Sequence, residues 1–474
     1  MKPKNPVGRL DHAHVWHPFT QMRDWLRREP VVLVRGLGAR LWDAEGREYL
    51  DANSSIWTNL HGHSHPRIVG AIRSQLGKVA HVSALGFANE PASRFAAELI
   101  DAARGPGRDG RKLAKVFYSD DGSTAIETAL KLAYEYARRT GPKSGKPRFL
   151  SVRGGYHGDT IGAVSLGHID LFHKAYQGLL FRADAVMAPY CYRCPYNRAP
   201  ADRRDARLGR KCAWECVDQV ATKLSKARSR GRPYAAFVVE PRIQGAAGMI
   251  PQPDGWLSRV AALVRSHGAL LVTDEVMTGF GRAGGRGILA SQAEGVTPDL
   301  AALAKGITGG TLPMAATLAT RRVFDVFLGE YSEFKTFFHG HSYTANPLGA
   351  AAGRASLALL RAKAGTLARE RLAVRMDEQL ERLWTHPNVG DIRRVGLVAG
   401  VELVRDWRTK VPYALEEQAG IRVCAGMAKR GVLTRAIGNV VVLMPPYCTT
   451  RAELARMVDA MEESIREEFG ARSV

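Results

Sequence analysis

The chain has 474 residues, 45% hydrophobic and 24% charged, with 68 Lys and Arg against 46 Asp and Glu for a net charge of +22. That length exceeds one small core and predicts two or three domains. No run approaches the ~20 continuous apolar residues of a membrane span. Residues 1–6 lack the apolar core of a secretory signal, so a cytoplasmic protein without membrane contact is expected. The charge alone supports only non-specific attraction to nucleic acid. Its one dense stretch, residues 193–232, holds twelve Lys and Arg against four Asp and Glu. No helix-turn-helix, zinc-finger or ribonucleoprotein motif accompanies it, so no specific nucleic-acid partner is expected.

Up to about residue 51 the chain reads as loops and short strands, at 31–34 and 40–43, before a turn at Glu45-Gly46. From about residue 66, helical stretches alternate with short apolar strands at 115–119, 148–152, 235–240, 269–274, 300–304 and 315–319. Near-continuous apolar strands between helices predict an α/β fold with a mostly parallel sheet covered on both faces. Beyond about residue 338 come an Ala- and Leu-rich helix at 347–362, strands at 397–403 and 440–444, and an amphipathic helix at 451–467. The expected division is an N-terminal segment 1–65 that joins the small domain, a large domain 66–337 and a small C-terminal α+β domain 338–474.

The chemistry gathers at strand ends. An apolar strand ends in Asp274, and thirty-one residues later another ends in Lys305, flanked by Gly306-Ile307-Thr308-Gly309-Gly310. Ligands bind at strand C-termini in open α/β sheets. A lysine there is expensive to bury idle. Pyridoxal phosphate needs a lysine for its Schiff base and an acid to keep its ring nitrogen protonated, which makes the ring an electron sink. Taken singly, Lys305 reads as a loop lysine and Asp274 as an ion-pair partner; the pair reads as a cofactor site. Gly122-Ser123 opens a helix after the strand at 115–119, and such a start binds phosphate or serves as an ordinary N-cap. Asp120 and Asp121 are expected to point away from an anion held there. Tyr156, in Gly154-Gly155-Tyr156-His157-Gly158-Asp159-Thr160, can stack on a planar ring or pack in a tight loop. His157 and Asp159 read as loop-shaping or substrate-contacting.

Two further patterns raise metals. Cys191, Cys194, Cys212 and Cys216 form C-x2-C-x17-C-x3-C within a Pro- and Arg-rich insertion at about 189–216. The spacing is compatible with a tetrahedral thiolate site, with reduced loop thiols or with a bonded pair. His61, His63 and His65 alternate, but no acidic residue lies nearby in sequence, and no metal is expected there.

Together these residues resemble the class III aminotransferases of the aspartate-aminotransferase fold, fold type I. The resemblance runs over nearly the whole chain and is strongest in Leu271-Val272-Thr273-Asp274-Glu275-Val276-Met277-Thr278-Gly279-Phe280-Gly281-Arg282, Pro298-Asp299 and Lys305-Gly306. It implies a pyridoxal-phosphate-dependent transaminase. Lys305 would be the catalytic lysine and the base for the proton shift, Asp274 the partner of the ring nitrogen, Gly122 and Ser123 the phosphate holders. Tyr156 would lie over the ring, with Glu240 near it. Within the class, the chain is most similar to the branch that aminates 8-amino-7-oxononanoate to 7,8-diaminononanoate for biotin synthesis. The carriers are Trp16-His17-Pro18-Phe19-Thr20-Gln21-Met22, Ser54-Ser55-Ile56-Trp57, Tyr156–Thr160 and Phe337-Phe338-His339-Gly340-His341-Ser342-Tyr343-Thr344-Ala345-Asn346-Pro347. The resemblance implies a homodimer with shared active sites, in which Gly340, His341 and Ser342 reach the neighbouring subunit's cofactor phosphate. Substrate contacts would come from Phe19, Ile56, Trp57, Tyr156, Gly340 and Arg435, the last binding the keto acid's carboxylate. Phe19 and Ile56 stand where the S-adenosylmethionine-using form carries tyrosine and tryptophan, so the amino donor is S-adenosylmethionine or lysine. An ω-amino-acid or diamine aminotransferase is the alternative within the class, and an aminomutase the alternative reaction.

Overall fold

A computed structural model describes residues 3–105, 111–141 and 146–470 of the chain. In chain order, β1 (Leu33–Leu37), β2 (Arg40–Asp43) and β3 (Glu48–Asp51) form an antiparallel meander. Then come β4 (Leu113–Ser119), β5 (Arg148–Val152), β6 (Asp184–Val186) and β7 (Tyr234–Val239), followed by a short ribbon of β8 (Ile243–Gln244) and β9 (Ile250–Pro251). After these lie β10 (Leu270–Asp274), β11 (Leu300–Leu303) and β12 (Ala315–Thr320). The last strands are β13 (Val389–Val395), β14 (Val398–Leu403), β15 (Val432–Leu433), β16 (Ala436–Ile437) and β17 (Val440–Leu443).

The large sheet has seven strands in the order β4-β12-β11-β10-β7-β5-β6. It is parallel except for β12, which runs antiparallel to both neighbours. Every residue of β7, β10, β11 and β12 is buried. That is the reason these segments read as near-continuous apolar runs: a strand covered on both faces needs no polar side. The helix Gly122–Thr140 covers one face through Ala125, Ile126, Ala129 and Ala133. The helices Glu215–Ser229 and Trp256–Ser266 cover the other, with Val220, Leu224, Trp256 and Val260 in that core. All six strands predicted in this region are in the sheet. The edge strand β6 was not foreseen, because three residues carry no readable period. The strand expected at 31–34 is displaced to β1, whose extent is set by pairing Leu37 with Arg40 across Gly38 at φ 58°.

A four-stranded sheet, β13-β14-β17-β16, carries the C-terminal region. Its neighbour β15 pairs in parallel with β3, Val432 opposite Leu50. Arg282 stitches three regions together: its guanidinium is buried and donates to the Pro445 carbonyl (2.6 Å) and the Asn59 carbonyl (3.1 Å).

The cysteine-bearing insertion clasps the large sheet to the C-terminal sheet. Tyr190 Oη donates to Glu402 (2.7 Å), and Arg193 Nε to the same carboxylate (2.9 Å). Arg203 donates to the His386 and Val389 carbonyls (2.6 and 3.1 Å) and Arg207 to the Arg394 carbonyl (2.8 Å). Part of the basic density is therefore structural. All six cysteines are free thiols. Burial pushes Cys191 up to about 12 and Cys216 up to about 11, values at which a thiol stays protonated. Among the described residues no three His, Cys, Asp or Glu converge on a point that could hold a metal ion. The alternating histidines have other partners. His61 meets Ser356 Oγ (3.1 Å), His63 meets Asp51 (2.8 Å), and His65 caps a helix by accepting from Arg67 N (3.3 Å). Asp51, twelve residues before His63, is the acidic partner that local sequence did not show. Among the described residues no helix is long and apolar enough to cross a membrane.

Candidate active site

A cavity of about 390 Å³ opens at the C-terminal ends of β10 and β11. Its lining includes Trp57, Gly122, Ser123, Tyr156, Glu240, Asp274 and Lys305, residues from six separate segments. Asp274 is the last residue of β10, and Lys305 lies two residues beyond the end of β11. β10 and β11 are paired neighbours, so the sheet itself sets the carboxylate beside the amine.

Lys305 is half-buried, and its Nζ lies 5.3 Å from the centre of the Trp57 ring. Burial lowers its pKa below the ordinary lysine value, partly opposed by the charges of Asp274, Glu240 and Asp159. A lowered pKa leaves more of the free amine, the form that attacks an aldehyde. Trp57 is fixed by Nε1 donating to Asn53 Oδ1 (2.9 Å), in a turn where Ser54, Ser55 and Trp57 all have positive φ (48°, 63° and 69°). Positive φ at three non-glycine residues is strain held in place by the surrounding contacts.

Asp274 accepts from Val276 N (3.0 Å) through one oxygen and meets His157 Nδ1 (2.7 Å) through the other. Burial works against a charged His157, but the hydrogen bond and charge of Asp274, with Glu240 behind, raise its pKa above the ordinary histidine value. His157 therefore positions Asp274. The sequence had suggested a loop-shaping or substrate-contacting residue; the pair is 117 residues apart in sequence and no local pattern announces it. Glu240 accepts from Gly245 N (2.8 Å) and Tyr156 N (3.3 Å), and burial with the nearby Asp274 charge raises its pKa. The next carboxylate along, Glu275, is not a cavity group. Its oxygens accept from Ala290 N (2.7 Å), Ser291 N (3.1 Å) and Thr278 Oγ1 (3.0 Å), pinning the loop below.

The helix Gly122–Thr140 aims its N-terminus at the cavity. Asp121 is its N-cap, accepting from Thr124 N (2.9 Å), so the Asp121 carboxylate is turned onto the helix. Asp120 and Asp121 nevertheless line the cavity, where the sequence had suggested that they point away. Ser123 Oγ accepts from Asp159 N (3.1 Å), tying the Tyr156 loop to the helix start. Tyr156 Oη donates to Asp159 Oδ2 (2.7 Å), which orients the ring and makes Asp159 a loop-shaping residue. Gly158 sits at φ 120°, and a Cβ there would overlap Ser123 Oγ. Gly158→Ala is expected to cost about 1–3 kcal/mol through strain and overpacking. The check is thermal unfolding with and without cofactor, which should show a lower Tm and a smaller cofactor-dependent rise. Gly310, the last of the glycine-rich run after Lys305, also lines the cavity, as do Thr311, Leu312 and Pro313, which the sequence had not singled out.

Other predicted positions lie around this centre and not in its lining. Phe19 is exposed at the mouth, its ring centre 6.5 Å from Tyr156 and 5.3 Å from Phe172. Ile56 is exposed beside Trp57. Arg435 is exposed on the segment between β15 and β16, two residues before Ile437, which packs against the cluster containing Trp57 and Met277. Gly340, His341 and Ser342 lie outside the cavity lining, with His341 Nδ1 3.8 Å from Asp120 Oδ2.

The donor set fits pyridoxal phosphate part by part: an amine for its aldehyde, a buried carboxylate for its ring nitrogen, a helix N-terminus for its phosphate and an aromatic ring for its face. The family model described as aminotransferase class III matches residues 23–465.

The chain belongs to the class III aminotransferases.

Curated relatives extend over the whole length. The adenosylmethionine-8-amino-7-oxononanoate aminotransferase of Geobacter sulfurreducens is 46% identical over 96% of both chains. The protein of that name from Aquifex aeolicus is 40% identical over 98% of both. Among solved structures, the one of that name from Methanocaldococcus jannaschii superposes with TM-score 0.88 at 36% identity, covering 98% of this chain and 99% of its own. An amine transaminase from an uncultivated Pseudomonas species, in its PLP-bound form, superposes with TM-score 0.85 at 32% identity, covering 96% and 98%. This class III aminotransferase thus has fold type I and depends on pyridoxal phosphate, whose parts the residues lining the cavity at β10 and β11 can match.

Proposed function

We propose that this aminotransferase converts 8-amino-7-oxononanoate to 7,8-diaminononanoate in biotin synthesis. The observation that carries the reading is the convergence of Lys305, Asp274 and Trp57 in one cavity, in a chain 40–46% identical to relatives bearing that activity in their names. Pyridoxal phosphate, when bound, supplies an electrophilic carbon and an electron sink. Asp274, steadied by His157, would keep the cofactor's ring nitrogen protonated. Lys305 would hold the cofactor through its amine and, when free, would serve as the base that takes up and returns the proton. Its tether keeps the amine within reach. Gly122 and Ser123 hold the phosphate, Tyr156 covers the ring, and Glu240 keeps the Tyr156 loop in register. Trp57 and Ile56 would border the path of the aliphatic chain, Arg435 would pair its fork with the distant carboxylate, and Gly340 would join the substrate contacts from the neighbouring subunit.

S-adenosylmethionine is the donor named for the relatives. Phe172, beside Phe19 and Tyr156, supplies an aromatic face near the position where the expected tyrosine is missing, and aromatic faces suit a sulfonium. The test gives the purified holoenzyme the keto acid with S-adenosylmethionine or lysine separately and assays the diamine. Product with S-adenosylmethionine alone supports that donor. Product with lysine alone moves this chain to the lysine-using branch. Failure with both, alongside turnover of simple ω-amino acids or diamines, overturns the biotin-pathway reading.

The working unit in this reading is a homodimer with shared active sites, located in the cytoplasm, where six thiols stay reduced. Leu85, Phe87 and Phe338 are 70–88% exposed in the single chain, apolar side chains that a partner subunit would cover. His341 and Ser342 would reach the partner's cofactor phosphate. The division of the chain into residues 1–65, 66–337 and 338–474 goes with the same reading.

A further inference from the structure

A second cavity, of about 1090 Å³, lies at the opposite end of the large sheet. It is bordered by the residues that lead into β5, β7 and β10, whereas the active site is at the far ends of those strands. The five residues of β10 alone put roughly 17 Å between the two. Its lining carries Arg138, Lys146, Arg228, Arg232, Arg265 and Arg322, together with His267, and among the described residues no Asp or Glu.

The ordinary account is that these cations complement helix dipoles. Arg138, Arg228 and Arg265 do sit in the last turns of the helices Gly122–Thr140, Glu215–Ser229 and Trp256–Ser266. Three helix C-termini offer about −0.5 charge each, short of the four cations Lys146, Arg228, Arg232 and Arg322 even with Arg138 and Arg265 set aside. Glu135 neutralises Arg138 (2.9 Å). Arg228 donates to the Ser266 carbonyl (3.0 Å) and Arg322 to the Tyr136 hydroxyl (2.5 Å), neutral partners that leave both charges in place. Lys146, Arg232 and Arg322 belong to none of the three last turns. Tyr134, Tyr136 and Tyr234 give the cavity aromatic walls.

We propose that this cavity is a binding site for an oligophosphate anion, the linear triphosphate carried by inorganic triphosphate or by a nucleoside triphosphate. Guanidinium forks match phosphate oxygens bidentately, and several cations around one concavity select for multiple charge over single charge. The site is independent of the transamination centre, whose own phosphate position is filled in the holoenzyme.

The test is calorimetric titration of the holoenzyme with inorganic triphosphate, ATP and orthophosphate. Triphosphate is expected to bind at least roughly tenfold tighter than orthophosphate and to weaken as salt rises from about 50 to 200 mM. Arg228→Gln/Arg232→Gln should lower triphosphate affinity by roughly tenfold or more while turnover stays unchanged. Arg371→Gln/Arg451→Gln, which removes the same charge from exposed positions elsewhere, should leave it alone. Equal affinity for triphosphate and ATP assigns the site to phosphates only; tighter ATP binding adds a base against the tyrosines. No preference over orthophosphate, unchanged affinity in Arg228→Gln/Arg232→Gln, or an equal loss in the control variant each overturns the proposal.

Discussion

Lys305→Ala is expected to lower turnover by roughly 10⁴-fold or more, since it removes both the covalent attachment and the proton-transferring base. The visible absorbance of the lysine-bound cofactor should vanish with it. Stability supplies the control. Desolvation at the cavity floor penalises the charged form of the half-buried Lys305, so the wild-type apoenzyme carries that penalty and the alanine variant does not. The side chain faces an open cavity, so its loss leaves no new void in the core. Unfolding of the apo variant should therefore come at the same temperature as wild type or higher. A variant that keeps its turnover contradicts the assignment. A variant that loses turnover only by failing to fold contradicts the reading of Lys305 as chemically, not structurally, required.

Asp274→Asn is the second large effect. The substitution keeps the shape and one hydrogen bond but removes the charge that favours a protonated ring nitrogen. Loss of a preorganised electrostatic partner of this kind lowers turnover by roughly 100- to 1,000-fold. His157 is the internal check. Its pKa is held up by the Asp274 hydrogen bond and charge against the opposing effect of burial. In Asp274→Asn that support is lost, and His157 should titrate at lower pH than in wild type, as NMR of its ring protons would read. Cofactor should still bind, because Lys305 and the helix start at Gly122 are untouched. Wild-type turnover in the asparagine variant would remove Asp274 from the mechanism.

Much of this site was legible in the sequence because the residues that carry it sit at the ends of buried strands. β10 is apolar through Val272 and β11 through Leu303, so a charged Asp274 and Lys305 at their ends stood out. The Gly-Ser helix start after β4 was legible for the same reason. What could not be read was contact across long sequence separations. His157 meets Asp274 across 117 residues, and His63 and Asp51 belong to different turns of the N-terminal segment. The Asp120-Asp121 pair was a case of two correct rules in competition. A carboxylate is a good N-cap, and a carboxylate repels phosphate; Asp121 caps the helix and still borders the cavity. The positive charge was legible as a number only. Folding divides it into arginines that clasp the insertion to the C-terminal sheet and arginines left around the cavity at the far end of the large sheet.

The most direct test of the central claim is to reduce the holoenzyme with borohydride, digest it and map the pyridoxyl group by mass spectrometry. The account predicts a single labelled peptide, modified at Lys305. A label on another lysine, or a holoenzyme that reduction leaves unlabelled, would contradict it.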